Sequence, residues 1–445
     1  MEVHTYLANL GSALSRPGLE RIEIMLAHLG HPERDLSIIH VVGTNGKGST
    51  AQFIASALQA ADQKVGLFTS PHLVKFNERI QINGMPITDE ALDSIFRELY
   101  PCLEELGIGA YGSPGMFEVA TALALKHFSV ACVDYAILEA GMGGRYDATH
   151  VGSPVVTVFT HIDLDHTEIL GETVELIAAE KADVIPPGGT VVTAPQSVDV
   201  KRVITGVAKS RGARVIDIET EYEIERALPQ ASGTSFSVSR KGHWRHLRIS
   251  LLGLFQITNA VTALATLDVL AEKGLGIGDA QVAKGLATAS WPGRLEVVGK
   301  DPLVVLDGAH NLDGCRQLAA TLPLYFSWDR LHLIMSIVGK KPVRAMLEAL
   351  LPLADTVTFT APQTSRTRPI DSATLKELAG EIVEFADNVP TFHDAYQTVR
   401  HRARPHDLVC VCGSLYLVSE ARKQLVVCGC LAGIMHPSAE NNRAT

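Results

Sequence analysis

Short apolar runs alternate with stretches of helical spacing along most of the chain. In the first half, the apolar runs lie at 37–42, 65–68, 133–138, 155–160 and 190–193. Leu19, Ile22, Leu26 and Leu29 recur at helical spacing before the first run and predict an amphipathic helix. Buried parallel strands read as continuous apolar runs joined by helices. The pattern therefore predicts a mainly parallel sheet covered by helices on both faces.

The pattern changes in the second half of the chain. Between about 221 and 252, polar and apolar residues alternate, which predicts an antiparallel excursion. A helix at 259–273 follows, and residues 290–294 interrupt regular structure. Apolar runs then return at 303–306, 331–336, 356–360 and 408–412, with helices predicted at 312–322, 343–351 and 371–384. We predict an α/β fold of two doubly wound domains, 1–295 and a smaller Rossmann-like one, 296–445.

A glycine-rich turn joins the first apolar run to the next predicted helix, 49–61. Its sequence from Gly43 to Thr50 is GTNGKGST. Backbone N–H groups and the positive end of a helix converge at such a turn, and Lys47 adds a charge, so the segment predicts a phosphate site. The spacing differs from the common phosphate loop, because Gly48 separates the lysine from the hydroxyl of Ser49. The turn alone leaves kinases, switch GTPases and ligases open.

Composition narrows the possible partners. The formal net charge of -10 and the pI of about 5.9 give no basic face for nucleic acid or anionic lipid. We find no secretory signal and no apolar segment long enough to cross a membrane, so a cytoplasmic protein is expected. Seven cysteines in such a chain favour reduced thiols. A zinc site formed by Cys410, Cys412, Cys428 and Cys430 is an alternative hypothesis. The sequence favours alternate positions of a strand for one Cys-x-Cys pair and a C-terminal tail for the other.

Two further side chains follow predicted strands. Glu139 ends the run 133–138, and His166 comes shortly after the run 155–160. The carboxyl ends of parallel strands meet at one edge of a sheet, where ligands bind. Glu139 and His166 are therefore candidate metal ligands beside the phosphate site. From its own surroundings, Lys181 looks like an ordinary surface lysine.

Seven segments in one order resemble the folylpolyglutamate synthase/dihydrofolate synthase family of the Mur ligase superfamily. They are 43–50, 69–73 (TSPHL), 78–80 (ERI), 139–147, 165–166, 180–182 and 307–311 (DGAHN). The resemblance runs from about Leu19 to Leu417. It implies that the first domain is a Mur-ligase-like P-loop ATPase domain with the pterin site and that the second is a glutamate-ligase domain.

The resemblance also implies roles for individual residues. ATP is expected at Thr44, Asn45, Gly46, Lys47, Gly48, Ser49, Asn259, Arg294 and Asp307; magnesium at Ser70, Glu139 and His166; the pterin at Phe117, Arg145 and Asp147; and catalysis at Lys47, Lys181, His310 and Ser414. Two magnesium sites and a carbamylated Lys181 are part of this expectation. His310 and Ser414 would lie near the incoming glutamate.

The family resemblance predicts an ATP-dependent ligase that adds L-glutamate to dihydropteroate, to reduced folate or to both, through an acyl phosphate. A monomer is the family's usual state. Tyr146 and His150 stand where the family commonly has leucine and asparagine, and Asp163 and Asp183 where it usually has glycine. Alternative hypotheses are an amino-acid ligase of peptidoglycan synthesis, a nucleoside-triphosphate-driven switch or kinase, and a degenerate nucleotide-binding regulator.

Overall fold

The computed structural model describes residues 2–10, 18–365 and 368–427. The chain forms two compact units, Met1–Trp291 and Pro292–Thr445. The division falls in the segment 290–294, where the sequence pattern is interrupted. The functions predicted for domains 1–295 and 296–445 stay predictions. No helix in the described part of the chain combines the length and the apolarity needed to cross a bilayer.

The first unit is built on an eight-stranded sheet with the order β4-β3-β2-β5-β1-β6-β7-β8. Its strands are β1 (Ile38–Val42), β2 (Val65–Phe68), β3 (Ile80–Ile82), β4 (Met85–Pro86), β5 (Tyr135–Glu139), β6 (Val156–Phe159), β7 (Thr190–Thr193) and β8 (Arg214–Asp217). The six strands β2-β5-β1-β6-β7-β8 pair in parallel, whereas β3 and β4 add an antiparallel edge beside β2. Every residue of β1 is buried, as expected for a parallel strand covered on both faces.

Eleven α-helices accompany this sheet in the described part of the unit. They are α1 (Val3–Asn9), α2 (Glu20–His28), α3 (Lys47–Ala60), α4 (Asp89–Ile108), α5 (Met116–Val130), α6 (Thr167–Leu170), α7 (Val174–Ala182), α8 (Val198–Ser210), α9 (Ile218–Glu221), α10 (Phe255–Glu272) and α11 (Asp279–Thr288). Apolar clusters lie on the two faces of the sheet: one contains α3 and α10, and the other contains α2, α4 and α5. The predicted two-sided covering is confirmed.

The predicted antiparallel excursion is a separate three-stranded sheet with the order β11-β10-β9. Its strands are β9 (Tyr222–Gln230), β10 (Gly233–Arg240) and β11 (His243–Ile249). One face places Phe236 and Val238 in the same apolar cluster as α10. Arg245 of β11 donates to both carboxylate oxygens of Asp268 of α10, at 3.1 and 2.9 Å, and so connects the sheet to this helix.

The second unit is a smaller doubly wound domain. Its six-stranded sheet has the order β12-β13-β17-β14-β15-β16, with an antiparallel pair only between β12 and β13. The strands are β12 (Glu296–Lys300), β13 (Leu303–Leu306), β14 (Leu331–Met335), β15 (Thr356–Phe359), β16 (Phe385–Asn388) and β17 (Leu408–Cys412). The helices are α12 (Leu312–Tyr325), α13 (Val343–Leu350), α14 (Ser372–Ala379), α15 (Phe392–Arg402) and α16 (Leu415–Arg422).

One predicted helix is shorter in the structure, and one favoured interpretation of the cysteines holds for the described residues. The helix predicted at 371–384 ends at Ala379, because Gly380 follows it and residues 385–388 pair with β15 as a strand. The thiols of Cys410 and Cys412 are free and buried on β17, as alternate strand positions require. Cys428 and Cys430, the other half of the conceivable zinc site, lie outside the described residues.

Candidate active site

The glycine-rich turn between β1 and α3 is held against the loop that follows β6. The backbone N–H groups of Thr44 and Asn45 donate to the carbonyl oxygen of His161, at 2.8 and 3.1 Å. The hydroxyl of Thr44 donates to the carbonyl oxygen of Asp163 at 3.0 Å. Gly46 has a φ of 86° and caps α3, which begins at Lys47. The turn therefore leads directly into a helix N-terminus, where anions are stabilised.

Two lysine side chains converge on one carbonyl oxygen of this turn. The Nζ of Lys47 lies 3.1 Å from the oxygen of Gly43, and the Nζ of Lys181, which comes from α7, lies 2.8 Å from the same atom. Lys181 is only 4% exposed. Burial, reinforced by the charge of Lys47, lowers the pKa of Lys181 to about 7. Lys181 is thus a buried part of the site and not a surface lysine.

A buried glutamine links the turn to α10. Gln256 is fully buried, donates from Nε2 to the Oγ of Ser49 at 3.2 Å, and accepts from the Nδ2 of Asn259 at 2.9 Å. Asn259 lies close to Gly46, because a Cβ at that glycine would be 2.4 Å from the Oδ1 of Asn259. Our sequence reasoning missed Gln256. Its signal was a large polar side chain in the first turn of a mostly apolar helix.

Glu139 and Ser70 meet at the carboxyl edge of the sheet. Glu139 ends β5 opposite Val41 of β1, is 4% exposed, and accepts from the backbone N–H of Ser70 at 2.9 Å. His166 is the N-cap residue of α6 and lies in the loop that follows β6, which is the other neighbour of β1. A buried carboxylate beside a hydroxyl-bearing residue suits Mg²⁺, which prefers oxygen ligands and often uses one or two carboxylates. The oxygen atoms of Glu139 and Ser70 therefore suit the predicted Mg²⁺, whereas the part assigned to His166 stays a prediction.

The loop after β5 carries two of the predicted pterin residues. The Asp147 carboxylate accepts from the backbone N–H groups of Gly141 and Met142, both at 2.9 Å, and from the backbone and hydroxyl of Thr149. Burial raises the pKa of Asp147, and these hydrogen bonds oppose that rise. Arg145 is 55% exposed. Asp147 thus organises its own loop, and its contact with a pterin stays a prediction.

Phe117 packs against this loop, whereas the side chain of Arg145 pairs with Asp183. The ring of Phe117 lies 5.6 Å from that of Phe68 and packs against Gly141, where an added Cβ would be 2.7 Å from Cζ of Phe117. The Nε of Arg145 forms an ion pair with Asp183 at 3.1 Å. The structure therefore gathers Phe117 and Asp147 around Gly141, while the Arg145 guanidinium is directed to α7.

In the second unit, the predicted residues gather where β13 and β17 end. Buried Asp307 accepts from the backbone N–H groups of Leu295 at 2.9 Å and Ala309 at 2.8 Å. Burial raises the pKa of Asp307, whereas the charge of Arg294 opposes the rise. The neighbouring loop is joined to this one because the N–H of Gly413 donates to the carbonyl oxygen of Ala309 at 2.9 Å.

The two predicted catalytic residues of this unit lie on those loops. The Nδ1 of His310 is 2.8 Å from the carbonyl oxygen of Gly308, so Nδ1 carries a proton. The Oγ of Ser414 accepts from the backbone N–H of Tyr416 at 3.2 Å and caps α16. His310 and Ser414 therefore share the carboxyl edge of the second sheet, and their catalytic roles stay predictions.

Comparison with known proteins agrees with this arrangement. Residues 41–267 match the Mur ligase middle domain, and residues 293–415 match the Mur ligase, glutamate ligase domain. A dihydrofolate synthase/folylpolyglutamate synthase of Bacillus subtilis is 38% identical, over 92% of this chain and 95% of that protein. The chain belongs to the folylpolyglutamate synthase/dihydrofolate synthase family. Membership confirms the predicted family and the two-domain α/β fold.

Solved structures of the family show the same fold. Mycobacterium tuberculosis folylpolyglutamate synthase complexed with ADP superimposes with a TM-score of 0.89 at 32% identity, covering 95% of this chain and 97% of that one. Escherichia coli FolC in complex with DHPP and ADP superimposes with a TM-score of 0.83 at 30% identity, covering 94% and 96%. The similarity to these family members therefore extends over both units of the chain.

Proposed function

We propose that the chain is an ATP-dependent ligase that joins L-glutamate to the carboxylate of dihydropteroate, of reduced folate or of both. The observation that carries the proposal is the turn 43–50, where Lys47 and Lys181 converge on Gly43. This turn occurs in a chain that covers nearly the full length of the family's synthases. Relatives solved with ADP support ATP as the nucleotide.

The proposed reaction has two steps because a carboxylate is a poor acylating agent. The folate carboxylate attacks the γ-phosphorus of ATP, which forms an acyl phosphate and releases ADP. The neutral α-amine of glutamate then attacks the acyl carbon, so that an amide forms, phosphate departs and the amine loses a proton. Lys47 would stabilise the charge that develops on the γ-phosphate oxygens. Asn259, Arg294 and Asp307 would bind the nucleotide, and His310 with Ser414 would hold the glutamate.

Magnesium is part of this proposal at two sites. Ser70, Glu139 and His166 would hold one ion, and a carbamylated Lys181 would contribute to the second. When bound, such ions neutralise phosphate charge during phosphoryl transfer. Support from this chain comes from the buried carboxylate of Glu139 and its contact with Ser70. Phe117, Arg145 and Asp147 would form the pterin side of the pocket.

The chemical environment of Lys181 supports its proposed carbamylation. The neutral amine adds through its nitrogen lone pair to the carbon of CO₂ and releases a proton, so the reaction requires an unprotonated lysine. With a pKa of about 7, Lys181 supplies that form at neutral pH. Adding ¹³C-bicarbonate should produce a carbamate ¹³C resonance that is absent from Lys181→Ala. The same resonance in the variant would place the modification elsewhere.

One assay tests the proposed function. Purified protein is supplied with ATP, Mg²⁺ and glutamate, together with dihydropteroate in one reaction and tetrahydrofolate in another, and ADP release and product mass are measured. Glutamate-dependent ADP release with a product one glutamate heavier supports the ligase. Nucleotide hydrolysis that ignores both substrates would instead support a switch or kinase. We further propose a cytoplasmic monomer, with ATP bound by 1–295 and glutamate handled by 296–445.

A further inference from the structure

A histidine lies in the middle of β1, within an otherwise apolar strand. His40 is 2% exposed, and its Nε2 lies 2.8 Å from the hydroxyl oxygen of Thr149, which is 1% exposed. Burial lowers the pKa of His40 to about 3, so the ring is neutral at physiological pH. A buried neutral histidine on β1 thus contacts a hydroxyl of the loop between β5 and β6. No step of the proposed reaction uses this contact.

The direction of the hydrogen bonds follows from Asp147. The hydroxyl of Thr149 donates to the Oδ1 of Asp147 at a distance of 2.5 Å, and the same oxygen accepts from the backbone N–H of Thr149. The oxygen of Thr149 is then available to His40 only as an acceptor. His40 must therefore donate, which places its proton on Nε2. These hydrogen bonds form a relay from His40 through Thr149 to Asp147, and the relay fixes the histidine tautomer.

At its other end the relay reaches Phe117, a predicted pterin residue, through Asp147 and Gly141. The other oxygen of Asp147 accepts from the backbone N–H groups of Gly141 and Met142, both at 2.9 Å. Gly141 in turn lies against the ring of Phe117, since an added Cβ would be 2.7, 2.9 and 3.0 Å from three of its atoms. A displacement of the Gly141 backbone would therefore displace the ring of Phe117.

We propose that His40 is a positioning residue for the pterin subsite: through Thr149 and Asp147 it fixes Gly141 and hence the ring of Phe117. The proposal rests on the proposed function for the identity of the ligand that Phe117 contacts. Phe117 belongs to the binding site itself, whereas His40 acts only through its neighbours. The effect should therefore appear in the KM for the pteroate substrate and not in the KM for ATP.

Five single substitutions separate this role from a purely structural one. His40→Leu removes one buried hydrogen bond and Thr149→Val removes two, both at similar side-chain volume, and we expect each to raise the KM for dihydropteroate by at least roughly tenfold. Thr149→Ser keeps the hydroxyl and His40→Gln keeps a donor, so both should restore most of the affinity. Thr157→Val is the matched control, because the buried Thr157 hydroxyl on the neighbouring strand has no hydrogen-bond partner among the described residues.

Nuclear magnetic resonance supplies a readout that does not depend on turnover. With ¹⁵N-labelled histidine in the full-length protein, the His40 resonances, assigned by their absence from His40→Gln, should show the Nε2–H tautomer, and Thr149→Val should perturb them. A proton on Nδ1 in the wild type, or a KM for ATP that rises together with that for dihydropteroate, would overturn the proposal. If the wild type forms no folate product, the proposed function fails, while the tautomer measurement still decides the relay.

Discussion

Replacing Gly46 by alanine tests how tightly α10 packs against the phosphate turn. The residue has a φ of 86°, and its new Cβ would lie 2.4 Å from the Oδ1 of Asn259. The left-handed conformation costs alanine about 1 kcal/mol. Asn259 would also have to move and give up its 2.9 Å hydrogen bond to Gln256, a loss of about 1 kcal/mol. We therefore expect Gly46→Ala to lower the free energy of unfolding by about 2 kcal/mol.

Gly30 offers a matched control for this measurement. It has a φ of 84° but no atom within 4 Å of an added Cβ, so Gly30→Ala carries the conformational cost alone. The difference between the two variants' free energies of unfolding, measured by urea denaturation, isolates the contribution of Asn259. Gly46→Ala alone should also raise the KM for ATP roughly tenfold if the Asn259 side chain binds the nucleotide. Equal free energies of unfolding and an unchanged KM for ATP in Gly46→Ala would refute the packing argument.

Four further substitutions test separate parts of the site. Lys47→Ala should abolish ligation with an unchanged circular dichroism spectrum, because it removes the cation of the turn; normal turnover would remove that role. Lys181→Met tests the lowered pKa of about 7: between pH 7 and about 10.5 the unfolded wild type binds more protons than the folded one. In bicarbonate-free buffer, the wild-type free energy of unfolding minus that of Lys181→Met should rise with pH across this window, and a flat difference would contradict the pKa. Gln256→Leu should cost about 2 kcal/mol in urea denaturation because two buried hydrogen bonds are lost, and a neutral result would place Gln256 outside the network. His310→Ala should slow amide formation more than it weakens ATP binding, and unchanged glutamate incorporation would exclude it from the site.

The sequence was sufficient where local pattern determines structure. The strand–turn–helix unit around 43–50 could be predicted because a continuous apolar run, glycines and helical spacing follow one another. The structure confirms it, with α3 beginning at Lys47, two residues before the predicted start. The antiparallel sheet at 222–249 was equally readable from strict alternation. In contrast, the short edge strands β3 and β4 were missed, because a few half-exposed residues give no clear periodicity.

The site was less readable where tertiary contacts determine it. Lys181 looks like a surface lysine from its neighbours, yet the approach of α7 to the turn buries it at 4% exposure. No local pattern encodes that approach. Likewise, the sequence placed Asp147 in a motif but could not show that its oxygens accept from Gly141, Met142 and Thr149, because those bonds depend on how the loop folds back. His40 did carry a signal, as a polar interruption of a buried strand.

Asp183 connects two arginines that are distant in the sequence. Its carboxylate bonds to Arg145 on the loop after β5 and to Arg211 just beyond α8, and Arg211 also donates to the backbone oxygen of Asp183 at 2.7 Å. In a chimera between this chain and a relative, Arg145, Asp183 and Arg211 therefore behave as one unit. A graft that exchanges the loop or the helix alone would remove one of the two arginines and leave Asp183 with a single charged partner, so the three positions should be transferred together.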